Sequence, residues 1–235
     1  MIKLENTEVV GWEHAIRGMR NPMNSWEKSD SGFGCKEERC DSCPSSHFYD
    51  RCSSEYDDYI IGPNDLNLMK RLRGAGMDHR KFMRMITVYV DITAPLYWLK
   101  EFDTYKVGTV ANSCSTMHKI HTKRFEREDF SIEHLENCIG GSWMVCMDNV
   151  ITSLNIARQK YLKAKDKKYW WQMIQLLPSS YNQKRTVMMN YEVLANIYKS
   201  RKNHKLDEWR DFCEWIKSLP YSEIVTGIIK TELQQ

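Results

Sequence analysis

The chain has 235 residues, 42% of them hydrophobic, with 8 Trp and 12 Tyr, a length and composition that support a large core and exclude an intrinsically disordered chain. Its 34 Lys and Arg against 31 Asp and Glu leave a net charge of +3, too small by itself to point to nucleic acid or an anionic membrane as partner. The opening MIKLENTEVV lacks the progression of a secretory signal, and no run of ~18 uncharged apolar residues occurs. A cytoplasmic location without membrane association is therefore expected, with the 8 cysteines as thiols or metal ligands rather than disulfides.

Ile2 to Val10 alternates weakly, as an edge strand does, and Trp12 to Met19 reads as a helix that Asn21-Pro22 stops. From Met23 to Asp58, Ser, Gly, Asp and four cysteines replace apolar periodicity, the character of a loop (23–58) inserted into a single domain spanning 1–235. Its cysteines, Cys35, Cys40, Cys43 and Cys52, follow C-x4-C-x2-C-x8-C. Four thiolates so spaced can close a tetrahedral structural zinc site, with His47 as a substitute ligand; the irregular outer spacings leave unliganded thiols as the competing reading. Pro63 to Gly74 reads as a helix capped by Asn64, with Leu66, Met69 and Leu72 inward. His79 falls in a polar turn, where a solvated side chain is the plain expectation. Met85 to Val90 alternates like a strand and Leu96 to Phe102 reads as helix. Tyr105 to Ser115, rich in small hydroxyl and amide side chains, suits a loop lining a polar site and equally an ordinary connection.

Ser131, Glu133 and His134 can open a short helix that Gly140-Gly141 ends, with Ser142 capping the next. Trp143, Met147, Val150, Leu154, Ala157 and Tyr161 then recur at 4, 3, 4, 3, 4, a long amphipathic helix whose Lys160 to Lys168 end reads as solvated and dipole-favoured. Tyr169 to Leu177 continues aromatic and apolar until Pro178. Arg185 to Arg201 reads as one helix with Val187, Tyr191, Leu194 and Tyr198 as its stripe, and with Asn190, Leu194, Ile197 and Arg201 along the edge of that buried face. Arg201 either complements the helix dipole while its stem covers apolar surface, or anchors a ligand phosphate or ionised base through its planar, permanently charged fork. Leu206 to Leu219 forms a last helix. The pattern is α+β, or α/β with long helical insertions, and it lacks GxGxxG, Walker, HExxH and GxSxG motifs.

Three segments resemble the flavin-dependent thymidylate synthases, in that family's order. Gly76 to Val90 is similar to its glycine turn, Phe and strand. Asp91 to Ile120 is similar to the apolar-Ala-Pro segment leading into its signature R-H-R-x-x-S-x-N-x-x-S-x-R-Y. Leu177-Pro178, Asn190, Asn196 and Arg201 fall at the family's spacing for Leu-Pro, two Asn and the Arg of its substrate site. The resemblance implies a flavin-dependent thymidylate synthase-like fold. It further implies a homotetramer that binds FAD between subunits and methylates dUMP with methylenetetrahydrofolate, NADPH reducing the flavin. Arg201 would hold the uracil as its anion and so carry the catalysis, with Asn112, Ser113 and Ser115 also on the nucleotide. His79, Lys106, Thr109, Asn190 and Asn196 would lie near the cofactor. Thr104-Tyr105-Lys106 stands where the signature begins Arg-His-Arg, Met117-His118 stands at its closing Arg-Tyr, Met173-Ile174-Gln175 lacks a phosphate-holding Arg, and Glu192 replaces a further Arg. A charge-assisted phosphate bond contributes ~1.5–3 kcal/mol, so Lys106, His118, Lys119 or Arg185 has to substitute for the missing cations. A second reading follows, a binding protein that keeps the fold without catalysis. A third is a zinc-dependent nucleic-acid module built on the cysteine loop and Lys160 to Lys168; the small net charge makes nucleic acid the weakest of the three.

Overall fold

The computed structural model describes residues 2–34, 58–138 and 141–227. In chain order the elements are β1 (Lys3–Val10), α1 (Trp12–Arg20), β2 (Gly32–Gly34), β3 (Asp58–Ile60), α2 (Pro63–Gly74), β4 (Thr87–Pro95), α3 (Leu96–Phe102), β5 (Val110–Ser113), β6 (Asn137–Cys138), β7 (Gly141–Ser142), α4 (Trp143–Ala164), α5 (Lys167–Leu176), β8 (Asn182–Asn190), α6 (Tyr191–Arg201), α7 (Asp207–Ser218) and α8 (Glu223–Thr226). They belong to two compact units, one drawn from Met1–Glu8, Tyr89–Met188 and Ser200–Trp215, the other from Val9–Val88, Met189–Lys199 and Ile216–Gln235.

The first unit carries a sheet of order β1-β4-β8-β5. Strand β4 alternates as period two requires: Val90, Ile92 and Ala94 are buried, while Tyr89, Asp91 and Thr93 take the other face. On that open face Asp91 accepts from the Thr186 hydroxyl (2.6 Å), the Asn6 amide (3.0 Å) and Lys184 (3.1 Å), which together hold its carboxyl down at about 2. Strand β1 is the expected edge strand, but its half-buried Leu4 and Val9 are an odd number apart. Asn6 takes φ 53° between them, shifting the alternation by one residue as a bulge does. Beside the sheet, Trp98 and Phe102 of α3 stack at 5.1 Å and meet Trp209 and Phe212 of α7 at 4.7–6.5 Å, all fully buried. A second cluster joins Ile120, Phe125 and Phe130 to Met147, Ile151 and Leu154 of α4 and Met173 of α5. Ser142 caps α4 as expected, its hydroxyl accepting from the Val145 N–H at 3.2 Å.

In the second unit Trp12 packs edge-on against Tyr191 (5.3 Å) and Tyr221 (5.2 Å). Gly11, at φ 94°, lets α1 follow β1 directly; a Cβ there would fall 2.2 Å from the Met85 carbonyl oxygen. A buried ion pair ties α1 to α2: Arg20 Nε donates to Asp65 at 2.6 Å, and the hydroxyls of Ser29 and Ser31 complete the carboxylate at 2.6 Å each. Burial pushes the Asp65 carboxyl up, but these two hydroxyls and the guanidinium outweigh it and hold it below its ordinary value. Asp30 caps α2 by accepting from the Asn64 (2.8 Å) and Asp65 (3.0 Å) N–H groups. Asn64 itself is therefore not the cap; it lies inside the helix and donates to the Lys28 carbonyl.

Several sequence expectations are corrected. Residues 185–190 belong to strand β8 rather than to a helix running to Arg201, and α6 starts at Tyr191. Val187 and Met189 are buried by strand alternation, and the helical stripe was read across a strand–helix junction. The stretch 131–136 forms no helix, and Tyr105 to Ser115 contains strand β5. Cys35, Cys40, Cys43 and Cys52, with His47, lie outside the described residues.

Candidate functional site

Helix α6 ends on Arg201, and the residues that meet it come from α3, from the turn after α3, and from α7. Its Nη1 donates to Glu101 Oε1 at 2.5 Å and its Nε to the Tyr105 hydroxyl at 2.9 Å. The guanidinium lies over the Trp209 ring (4.9 Å) and the Tyr105 ring (5.6 Å), leaving 18% of the side chain exposed. Glu101 is the hub. Its second oxygen accepts from the Trp209 indole N–H at 2.7 Å, and His204 Nε2 lies 3.5 Å from the first. His204 Nδ1 accepts from the Leu206 N–H, which assigns the ring proton to Nε2, facing Glu101. Burial pushes the Glu101 carboxyl up, but the Trp209 N–H, the Arg201 charge and His204 outweigh it and hold it below its usual range.

Arg201 is thus held in one orientation, and its charge is already met within the chain. The guanidinium packs on the Trp209 and Tyr105 rings, and its fork grips a carboxylate of the chain itself, Glu101. The Glu101 partnership was not anticipated. A sequence signal for it exists only in the i, i+4 spacing of Glu101 and Tyr105, which puts both side chains on one side of the α3 end.

A second guanidinium is treated the same way. Arg185 of β8 pairs with Asp103 at 2.5 Å and with Gln183 at 3.1 Å, and Ser113 of β5 lies opposite it in the antiparallel ladder. Asn112, opposite Thr186, and Ser113 are exposed on an edge strand, with side chains available to a ligand. Ser115 is committed: its oxygen accepts the N–H groups of Met117 (3.3 Å) and His118 (2.9 Å), closing a turn. Thr109 donates its hydroxyl to the Tyr105 carbonyl at 2.8 Å, while Lys106 beside it is exposed. Asn112, Ser113, Ser115, Lys106, Thr109 and Arg201 all belong to the first unit.

His79, Asn190 and Asn196 belong to the second. Asn190 is the N-cap of α6, accepting from the Val193 N–H at 3.0 Å, and Asn196 accepts from Arg80 at 3.2 Å. Glu192, where a family Arg was expected, is gripped by Arg84 at 2.5 Å and Arg80 at 3.4 Å, so two cations share one carboxylate there. His79 is exposed in its turn. Among the described residues, no group of three His, Cys, Asp or Glu is placed to hold a metal, and no helix is long and apolar enough to cross a membrane.

No protein-family model and no curated protein matches the sequence. Solved structures do. The flavin-dependent thymidylate synthase ThyX from Helicobacter pylori, complexed with FAD and dUMP, superposes with a TM-score of 0.64 at 14% identity, over 97% of this chain and 100% of that one. The fold is that of the flavin-dependent thymidylate synthases. A second structure of the Helicobacter pylori thymidylate synthase, also with FAD and dUMP, gives 0.63 at 14% identity, over 98% of this chain and 100% of that one. The UMP/dUMP methylase PolB from Streptomyces cacaoi, bound with 5-Br dUMP, gives 0.55 at 13%, over 97% and 96%. The thymidylate synthase-like fold expected from the Leu177 to Arg201 spacing is therefore present, although part of that span is strand.

Proposed function

We propose that this chain is a divergent thymidylate synthase-like enzyme that methylates a dUMP-like pyrimidine nucleotide, with methylenetetrahydrofolate as carbon donor and FAD, reduced by NADPH, as cofactor. The observation that carries the reading is Arg201, a partly buried guanidinium locked by Glu101, Tyr105 and Trp209 in a fold whose solved members include nucleotide-bound enzymes. Arg201 would donate to the uracil carbonyl edge, favouring its anion and making C5 nucleophilic. Asn112 and Ser113 would bond the remaining polar edge of the nucleotide. No enzyme nucleophile is required.

Within the second unit the Asn190 and Asn196 oxygens are spent on the protein, but their NH2 groups remain and His79 is exposed, donors that would suit the acceptor-rich edges of a flavin; in the first unit Lys106 is an exposed ammonium that would suit a phosphate. When bound, the flavin supplies redox chemistry that no side chain of the chain can. Assembly as a homotetramer is proposed on the same resemblance. Tritium release from 5-labelled dUMP with the full cofactor set tests the reaction, and flavin absorbance of the purified protein tests the cofactor; a colourless protein that takes up no FAD overturns it.

A second reading, nucleotide or partner binding without catalysis, draws on the same geometry. Where the family begins Arg-His-Arg, Thr104 donates to the Glu101 carbonyl at 2.8 Å and Tyr105 accepts from Arg201, so the exchanged residues have taken up local structural roles. Flavin uptake and dUMP binding without tritium release would select this reading.

A further inference from the structure

The net charge of the chain hides a strong segregation of charge. Segments 117–124 and 158–171 carry nine Lys and Arg against one acid, Asp166, while the whole chain is only +3. The fold brings these two segments together. The Trp170 indole N–H donates to the Met117 carbonyl at 2.9 Å, Arg158 donates to the His121 and Thr122 carbonyls at 2.9 and 3.2 Å, and the His121 ring packs edge-on against Tyr161 at 4.9 Å. Two of the cations meet carboxylates, Lys168 with Asp166 and Lys123 with Asp129. Lys119, Lys160, Lys163, Lys165 and Lys167 are exposed and have no carboxylate within ion-pair distance among the described residues.

Aromatic rings interleave with these ammonium groups. Lys165 lies over Tyr161 (5.6 Å), Lys160 and Lys168 over Tyr169 (5.7 and 4.9 Å), and Lys167 over Trp171 (5.8 Å), whose own neighbour is Trp170 at 4.7 Å. Trp171 is 44% exposed. A solvated helix end accounts for Lys163 and Lys165 through the helix dipole. It does not account for Lys119, which comes from a different segment, or for Lys167 at the start of the next helix. It also leaves unexplained an exposed tryptophan among them. The local field is positive enough to register on a neutral neighbour: burial first, then Lys165, Lys119 and Arg158, push the His121 pKa down, and its Nδ1 is buried without a hydrogen-bond partner.

Next to this patch along α4 and the 124–128 turn opens a cleft of about 520 Å³, lined by Arg124, Phe125, Thr152, Asn155, Ile156 and Gln159. Arg127, Glu126 and Glu128 line it too, so its charges balance and it suits a base or sugar rather than a phosphate. Charged ridge, exposed ring and neutral cleft are the parts that single-stranded nucleic acid needs: cations tracking the backbone, and π-faces and a polar recess for unpaired bases. We propose that the surface formed by residues 117–124 and 158–171 binds single-stranded nucleic acid, with Lys119, Lys160, Lys163, Lys165 and Lys167 on phosphates and Trp171 stacked on a base. Apart from Lys119, which the resemblance also offers as a substitute cation for the nucleotide phosphate, this surface uses no residue assigned to the nucleotide reading at Arg201, and the lysines varied in its test all lie outside that reading.

The test is fluorescence anisotropy of labelled single strands of about 15 nucleotides, with the matching duplex, titrated with the full-length protein at several salt concentrations. Single strands should bind more tightly than duplex. With five unpaired ammonium groups, the slope of log affinity on log salt should approach roughly −3.5, and the Lys160→Gln, Lys163→Gln, Lys167→Gln triple variant should reduce it by about 2. Trp171→Ala, an exposed position, should weaken single-strand binding about 5- to 150-fold while leaving the melting temperature in place. No binding at low salt overturns the proposal. So does affinity that the triple variant leaves unchanged, or a Trp171→Ala protein that binds as tightly as the parent. Competition by heparin, polyglutamate or phosphatidylserine vesicles as effective, at equal charge, as competition by the unlabelled single strand would also overturn it, marking a general polyanion surface.

Discussion

Replacing Glu101 by Gln keeps the shape of the Arg201 site and removes its negative charge. At an effective dielectric of about 20, opposite charges about 4 Å apart attract by about 4 kcal/mol. Glu101 and Arg201 are 31% and 18% exposed, so screening reduces what the change costs to roughly 1–3 kcal/mol of stability, the range of a charge-assisted hydrogen bond. The melting temperature should fall by about 2–4 °C for each kcal/mol lost. The difference between the two proteins depends on pH with a definite sign. Because the folded Glu101 carboxyl is held below its ordinary value, its stabilisation is complete above the unfolded carboxylate pKa and is lost as pH falls through the folded value. Parent and Glu101→Gln melting temperatures should therefore converge on acidification. Ligand binding should move the other way. An anion about 7 Å from Glu101 at an effective dielectric of about 40 is repelled by about 1.2 kcal/mol, so removing the carboxylate should tighten dUMP binding about sevenfold. Isothermal titration with dUMP and thermal melting of both proteins across acidic pH read the two effects. A variant that melts lower as expected but binds dUMP no better than the parent would refute the assignment of Arg201 to an anionic ligand.

Other outcomes follow from the buried charges and the metal motif. Asp65→Ala strands the Arg20 guanidinium, 4% exposed, without its counter-charge and should cost about 3–5 kcal/mol in urea unfolding; a cost under about 1 kcal/mol would mean the pair relaxes into solvent. His121 is held below its ordinary pKa in the folded chain, so the unfolded chain takes up its proton first and stability should decline as pH falls below about 6.5; His121→Gln should flatten that decline in denaturant melts. The C-x4-C-x2-C-x8-C spacing predicts one zinc per chain by native mass spectrometry, lost in a Cys40→Ser, Cys43→Ser variant; a metal-free parent protein favours the thiol reading.

Much of the architecture was legible in short-range patterns. Helices α4 and α7 were readable because their apolar residues repeat with the helical period over three or more turns, α2 because Leu66, Met69 and Leu72 share one face after Pro63, and β4 because its alternation coincides with β-branched residues. The run from Arg185 to Asn190 mimics a helix for a physical reason: its apolar Val187 fits a helical stripe when joined to α6, and what makes it a strand is the ladder with β5, more than 70 residues earlier in the chain. Asn190 carried a local clue, being a good N-cap placed directly before the apolar run that becomes α6.

By itself, then, the sequence determined the mixed α+β character, the positions of the strongly periodic elements and the placing of Arg201 at the rim of a buried face, because each depends on residues within a few turns of one another. Tertiary structure alone decided what Arg201 holds, since Glu101 lies 100 positions away, and it alone turned the lysines after Tyr161 and the cations before Phe125 into one surface. Ion pairs, ladders and patches join groups whose separation along the chain leaves no periodic trace, so only the folded chain reveals them.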